Sequence, residues 1–245
     1  MKKVIVSFGG IQQGVTRHCD PTRDGLVRNY TREVERLFTS AKPYGFDEYQ
    51  MYDDVWLRQS RHCTSESIRV INEPSFGWMF KPAAIAEALS TMSDGDLLMW
   101  MDSNDILVGD PSALFSHVNS YWPGIYCHEH GHADFPNKEW THRDMFVRMK
   151  CDEEKYWNAR QVQVDFMVFR KCPFVTAFVS EWLSYASDYS TMIGEGKYEN
   201  LPEFKDHRHE QSIFTLLKVK YGIHAEWHLP HSWILHQDGI VEKLI

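Results

Sequence analysis

Apolar positions along the chain fall into two spacings that alternate from end to end. β-rich or continuous apolar runs occur at 3–8 (KVIVSF), 46–52, 67–72 (SIRVIN), 96–101 (DLLMWM), 125–128 and 161–170 (QVQVDFMVFR), and each reads as a strand. Three- and four-residue steps mark helices between them. In 24–40 the stripe is Leu26, Tyr30, Val34, Leu37 and Phe38, and in 81–91 it is Ile85, Ala88 and Leu89, with Pro82 in the first turn. Residues 173–185 form another, and 210–221 a last one with Ile213, Phe214, Leu216 and Leu217 inward. The run 96–101 is apolar after its first residue, which suits a strand buried on both faces of a largely parallel sheet. The alternating run 161–170 reads as a second central strand. Strands alternating with helices predict a three-layer α/β sandwich. With no repeat, low-complexity tract or linker, 1–245 reads as one domain, its tail 224–245 folding back on it.

Composition narrows the function classes. Of 245 residues, 43% are hydrophobic and 24% charged, as in ordinary globular domains. The net charge of −8 and the lack of a basic stripe argue against nucleic-acid binding. No apolar stretch approaches the ~18 residues of a membrane span. The apolar run in MKKVIVSFGG is too short for a signal peptide. The five cysteines are odd in number and form no CxxC pair, so reduced thiols in a cytoplasmic protein are expected. The 14% aromatic content suits stacking on sugars and ordinary core packing alike.

The chemistry concentrates at the end of the apolar run, in GDLLMWMDSND. Asp102, Asn104 and Asp105 offer hard oxygen ligands where open α/β sheets place their sites, a pattern that suits Mg²⁺ or Mn²⁺ and, with it, a diphosphate. The same residues also suit a strand-end Asx turn. Upstream, in SFGWMFKP, Lys81 offers a cation, and Trp78 and Phe80 offer ring faces. The strand 3–8 runs into Gly9-Gly10, and Ser7, Phe8 and Gly9 are candidates for contact with a nucleoside.

Gly-Trp-x-x-Lys-Pro, a helix, Gly-Asp, an apolar strand and Asp-x-Asn-Asp follow one another here in an order that resembles GT-A-fold glycosyltransferases. The resemblance is to small polysaccharide-type enzymes with the pattern WxxKPxxIxxxL…GDxxxxxD. Asp102-Ser103-Asn104 resembles their Asp-x-Asp metal motif, with Asn at the third position and Asp105 as the alternative ligand. The segment 161–170 resembles the strand beneath the donor sugar, with Asp165 where relatives have a small residue. His207-Arg208-His209-Glu210-Gln211 resembles the segment that opens a helix near the sugar.

The resemblance implies a GT-A-like α/β/α sandwich and polysaccharide biosynthesis. The expected reaction is divalent-metal-dependent transfer of a hexose or pentose from a UDP-, GDP- or dTDP-sugar to a glycan or other hydroxyl acceptor. Glu210 and Asp165 are the catalytic carboxylate candidates. Trp78, Lys81, Asp102, Ser103, Asn104 and Gln211, with Ser7, Phe8 and Gly9, would bind the donor. Asp102, Asn104, Asp105 and a tail histidine, His236 before His231, would bind Mn²⁺ or Mg²⁺. Two other readings stay open. His128-Glu129-His130-Gly131-His132 suits a zinc-dependent hydrolase, and the aromatic excess suits a non-catalytic carbohydrate-binding protein. No GxxxxGK[ST] loop supports a kinase.

Overall fold

The computed structural model describes residues 1–9, 26–129, 135–225, 234–237 and 241–243, with 26–28, 74–75, 235–236 and 241–243 described by backbone alone. Nine strands are present among them: β1 (Lys3–Phe8), β2 (Leu26–Arg28), β3 (Glu48–Tyr52), β4 (Leu97–Met101), β5 (Asp105–Leu107), β6 (Ile125–Glu129), β7 (Val162–Arg170), β8 (Ile234–His236) and β9 (Val241–Lys243). Five form the main sheet, in the order β3-β1-β4-β7-β6. β1 pairs parallel with β3 and β4, whereas β7 runs antiparallel to both its neighbours. Four strands therefore point one way and β7 alone is reversed.

Side-chain alternation sorts the strands' apolar residues onto two faces. Val4, Val6, Leu98 and Trp100 lie in one core, with residues of the helices Phe80–Ser90, Pro173–Ser187 and His209–Lys220. Ile5, Leu97, Met99 and Met101 lie in the other, with residues of the helices Tyr30–Ala41 and Ser112–Ser120. The result is the expected three-layer α/β sandwich. Every residue of β4 is fully buried, as its unbroken apolar run requires.

Two expectations at the level of elements are corrected. The run 67–72 is not a strand: Ile68–Ile71 forms a single helical turn. The Ser67 hydroxyl donates to His62 O at 2.6 Å and accepts from Thr64 N at 2.8 Å, closing the chain into a turn, and Val70 and Ile71, adjacent in sequence, are both buried. Alternation would have placed those two on opposite faces. The helix expected over 24–40 starts at Tyr30, after β2, because the Asn29 side chain caps it by accepting from Arg32 N at 3.1 Å.

Two features of the fold set up the site. The register between β6 and β7 breaks between Tyr126 and His128. Across that break the alternation of β7 flips: Val162 and Val164 belong to one core, and Phe166 and Val168 to the other. Such an irregularity re-aims the residue within it, here Asp165. The second feature is a buried polar network under the helix His209–Lys220. Gln161, fully buried, donates to Asn137 Oδ1 at 2.6 Å and to Thr141 and Ser212 hydroxyls at 3.1 Å each. Its carbonyl accepts from Gln211 Nε2 at 3.1 Å.

Gln161→Leu should strand several of those partners and lower stability by about 2 to 4 kcal/mol. The expected signature is a lower urea midpoint with an unchanged slope; a loss below about 0.5 kcal/mol would contradict this role for the network.

Candidate active site

Lys81 lies in the first turn of the helix Phe80–Ser90, and its side chain is only 3% exposed. Its ammonium donates to Val164 O at 2.9 Å, in the irregular stretch of β7. It stands 3.0 Å from Asp102 Oδ1 and 3.5 Å from Glu210 Oε1. Burial alone would lower the Lys81 pKa, but Asp102, Glu210 and Asp165 together outweigh it and hold the pKa raised. One buried ammonium thus pairs with carboxylates from β4's end and from the helix His209–Lys220, with the Asp165 charge of β7 acting on it from farther off.

Asp102 follows the last residue of β4. Its N–H donates to Asp165 O at 2.8 Å, which ties β4's end to the irregular stretch of β7. Its side chain accepts from Trp100 Nε1 at 3.0 Å and remains 32% exposed. Burial raises its pKa, partly offset by Lys81. Glu210 is 6% exposed at its side chain, and burial pushes its carboxyl up to about 7 despite Lys81. The Trp182 indole fixes its backbone by donating to Glu210 O at 2.9 Å. Asp165 accepts from Gln163 Nε2 at 2.6 Å, and His128 Nε2 stands 3.7 Å away.

Lys81, Asp102, Gln163, Asp165 and Glu210 line a cavity of about 250 Å³ together with Trp78, Asp206, His207, Arg208, His209 and Gln211. The Arg208 guanidinium stacks on Trp140, 4.8 Å from the ring centre, and makes no ion pair among the described residues. Backbone strain gathers here too. Phe76, Trp78 and His209 have φ values of 55°, 61° and 46°, in the left-handed region, as does Gly77 between the first two. Strained non-glycine residues cluster at functional sites, where the surrounding fold imposes them. The Trp78 and His209 rings stack at 5.1 Å.

The structure therefore brings Trp78, Lys81, Asp102, Asp165, Glu210 and Gln211 together. It does not bring Ser7, Phe8, Gly9, Ser103, Asn104 or Asp105 to this cavity. The Ser7 hydroxyl donates to Met101 O at 2.7 Å, Phe8 stacks on Phe80 at 4.2 Å, and Gly9 admits Met51, whose sulfur lies 2.9 Å from where a Cβ would stand. The Ser103 hydroxyl donates to Glu33 at 2.9 Å. Asn104 O accepts from Gln237 N at 2.8 Å, and Asp105, fully buried, faces His236 in the β5–β8 register. The His236 side chain, His231, His130, His132 and Cys19 lie outside the described residues. Glu129, in the histidine-rich stretch, pairs with Lys218 at 2.6 Å. Among the described residues no group of three or more His, Cys, Asp or Glu side chains could hold a metal ion, and no helix is long and apolar enough to cross a membrane. Cys63, Cys127, Cys151 and Cys172 are free thiols. Sequence reasoning gave Gln163, Asp206 and Arg208 no individual role; the His-Arg-x-Glu-Gln order was the one signal for Arg208.

No family model and no curated protein matches the chain. Solved structures of glycosyltransferases do align with it. Apo mouse xyloside xylosyltransferase 1 gives a TM-score of 0.43 at 9% identity, over 92% of this chain and 83% of that one. A glycosyltransferase involved in glycosylation of the major capsid of PBCV-1 gives 0.35 at 11% identity, over 84% and 81%. The apo bifunctional glycosyltransferase WbbM gives 0.42 at 12% identity, over 88% of this chain and 37% of that one. These likenesses are loose, and the functional reading rests on the residues of the cavity.

The raised Glu210 pKa has a measurable sign. Between pH 4.5 and about 7 the folded chain holds a proton at Glu210 that the unfolded chain has released, so this group's contribution to stability falls across that window and stays low above it. Glu210→Gln should abolish that fall, so its Tm relative to wild type should climb from pH 4.5 to about 7. A Tm difference independent of pH would contradict the assignment.

Proposed function

We propose that the chain is a glycosyltransferase that moves a sugar from a nucleotide diphosphate-sugar to a hydroxyl acceptor. One observation supports this reading above the others: Asp102, Asp165 and Glu210 gather around the buried Lys81 in one cavity, beside a stacked Arg208 that makes no ion pair among the described residues. Carboxylates outnumber the ammonium they surround. In a site shielded from water, that excess negative charge favours a positive charge developing on the sugar. Glycosyl transfer passes through such an oxocarbenium-like state.

In this reading the bond from the anomeric carbon to the diphosphate oxygen breaks, and its electron pair leaves with the diphosphate. Arg208 receives that charge; its planar donors suit phosphate oxygens, and stacking on Trp140 holds it in place. Lys81 holds Asp102 and Glu210 in position. The acceptor oxygen bonds to the anomeric carbon, and its proton passes to Glu210, whose carboxyl near pH 7 suits a general base. Asp165 faces the developing positive charge, and Trp78 gives the sugar an apolar ring face.

The surplus of carboxylate charge at the end of β4 also fits a hard divalent cation such as Mn²⁺ or Mg²⁺. Asp102, partly exposed, is the ligand the cavity itself offers. Asn104, just before β5, and Asp105 and His236, which pair in the β5–β8 register, are the other proposed ligands. Such an ion would neutralise the diphosphate. Since no ready-made ligand group exists among the described residues, it would enter with the donor. Which sugar is moved, hexose or pentose, and an assignment to polysaccharide biosynthesis belong to the same proposal. The hydrolase and binding-protein readings gain no specific observation.

Incubating the protein with Mn²⁺ and a panel of UDP-, GDP- and dTDP-sugars should release nucleoside diphosphate slowly, by transfer to water. Arg208→Ala should raise the donor KM by about tenfold or more. Asp102→Ala should abolish the metal-dependent part of nucleotide binding, read by calorimetry with and without Mn²⁺. If no donor is bound or hydrolysed, the proposal fails.

A further inference from the structure

A second cavity, of about 500 Å³, opens beside the first. The two share Trp78, Asp206, His207 and His209, which form the partition between them. Its remaining wall carries Glu73, His142, Asp144, Tyr198 and Phe204, and among the described residues no Lys or Arg lines it. Its volume falls within the range typical of small-molecule sites.

From this geometry we infer that the second cavity binds the acceptor, and that the acceptor portion it holds is a neutral or cationic hydroxyl-bearing molecule such as a sugar. The inference rests on the transferase reading, because a transferase needs two substrates that meet across one boundary. Three features of the cavity support it. The first is charge: Glu73 and Asp144 line the cavity, and none of its described lining residues is a Lys or Arg, so an anion would meet repulsion there.

The second is shape. Tyr198, 46% exposed at the rim, and Trp78 at the partition offer ring faces to an apolar sugar face. The third is rigidity. The Asp144 carboxylate accepts from Glu195 N at 2.7 Å, Tyr198 N at 2.9 Å and Lys197 N at 3.3 Å, which holds the 195–198 loop as a fixed wall. The partition is equally fixed: Met192 O accepts from His207 Nε2 at 3.0 Å and from His209 Nδ1 at 3.1 Å, and the His142 and His207 rings lie 3.8 Å apart. Burial lowers the His142 pKa to about 4, so it adds no positive charge near neutral pH.

The test uses three p-nitrophenyl glycosides as probes, one neutral, one carrying an amine and one a uronate, with binding to the intact protein measured by NMR. The neutral and amine probes should bind about tenfold or more tightly than the uronate. Tyr198→Ala, at an exposed rim position, should weaken the neutral probe about fivefold while leaving donor hydrolysis within twofold of wild type. A uronate that binds as well as the neutral probe, a Tyr198→Ala variant with unchanged affinity, or no binding by any of the three would overturn the inference. Probe binding without nucleotide-sugar binding would sink the transferase reading alone. Donor hydrolysis without probe binding would sink the acceptor site alone.

Discussion

A single buried cation makes the cavity possible. Carboxylates from separate elements converge on Lys81, and without its ammonium their mutual repulsion in a poorly hydrated site would drive protons onto them or push them apart. Removing one partner of a buried ion pair typically costs about 3 to 5 kcal/mol, since it leaves the other charge uncompensated. The arrangement is therefore more a way of holding charge in a chosen place than a source of stability. It leaves Glu210 able to gain or lose a proton near neutral pH and leaves Asp102 partly open to the cavity.

The fold accommodates this cluster by giving up regularity where it forms. β7 loses its register with β6 beside Asp165, and Lys81 takes up the Val164 carbonyl within the irregular stretch. The chain at 76–78 winds through three left-handed residues to bring Trp78 to the partition. Gly77 permits this. A Cβ there would stand 3.1 Å from Val70 and 3.2 Å from Ile193. Beneath the cavity, the Gln161 network replaces apolar packing with directed hydrogen bonds, which fix the start of the helix carrying Glu210.

Much of the architecture was legible in the sequence because hydrophobic spacing alone determines it. β4, buried on both faces, is visible as DLLMWM, and the helix His209–Lys220 as a stripe of Ile213, Phe214, Leu216 and Leu217. The run SIRVIN misled because Ile and Val favour strands, while local serine hydrogen bonds and the burial of two adjacent residues decided the outcome. At the site, Lys81, Asp102, Asp165 and Glu210 were marked by motif order. Their mutual contact was not, because it depends on the break in β7 and on pairs up to 129 residues apart in sequence. Ser7 and Ser103 look like ligand contacts in the sequence, yet their hydroxyls hold backbone and helix together; polar residues at a strand end look alike in either role.

In the proposed reaction Glu210 stands in a charged cavity that receives the donor sugar. The δ-carboxyl resonance of Glu210 tests it most directly, followed by carbon-13 NMR in labelled protein and assigned by its disappearance in Glu210→Gln. A titration midpoint near 7 that moves when a nucleotide sugar is added with Mn²⁺ is the expected result. A midpoint near the ordinary 4.5, unmoved by every UDP-, GDP- and dTDP-sugar, would contradict it.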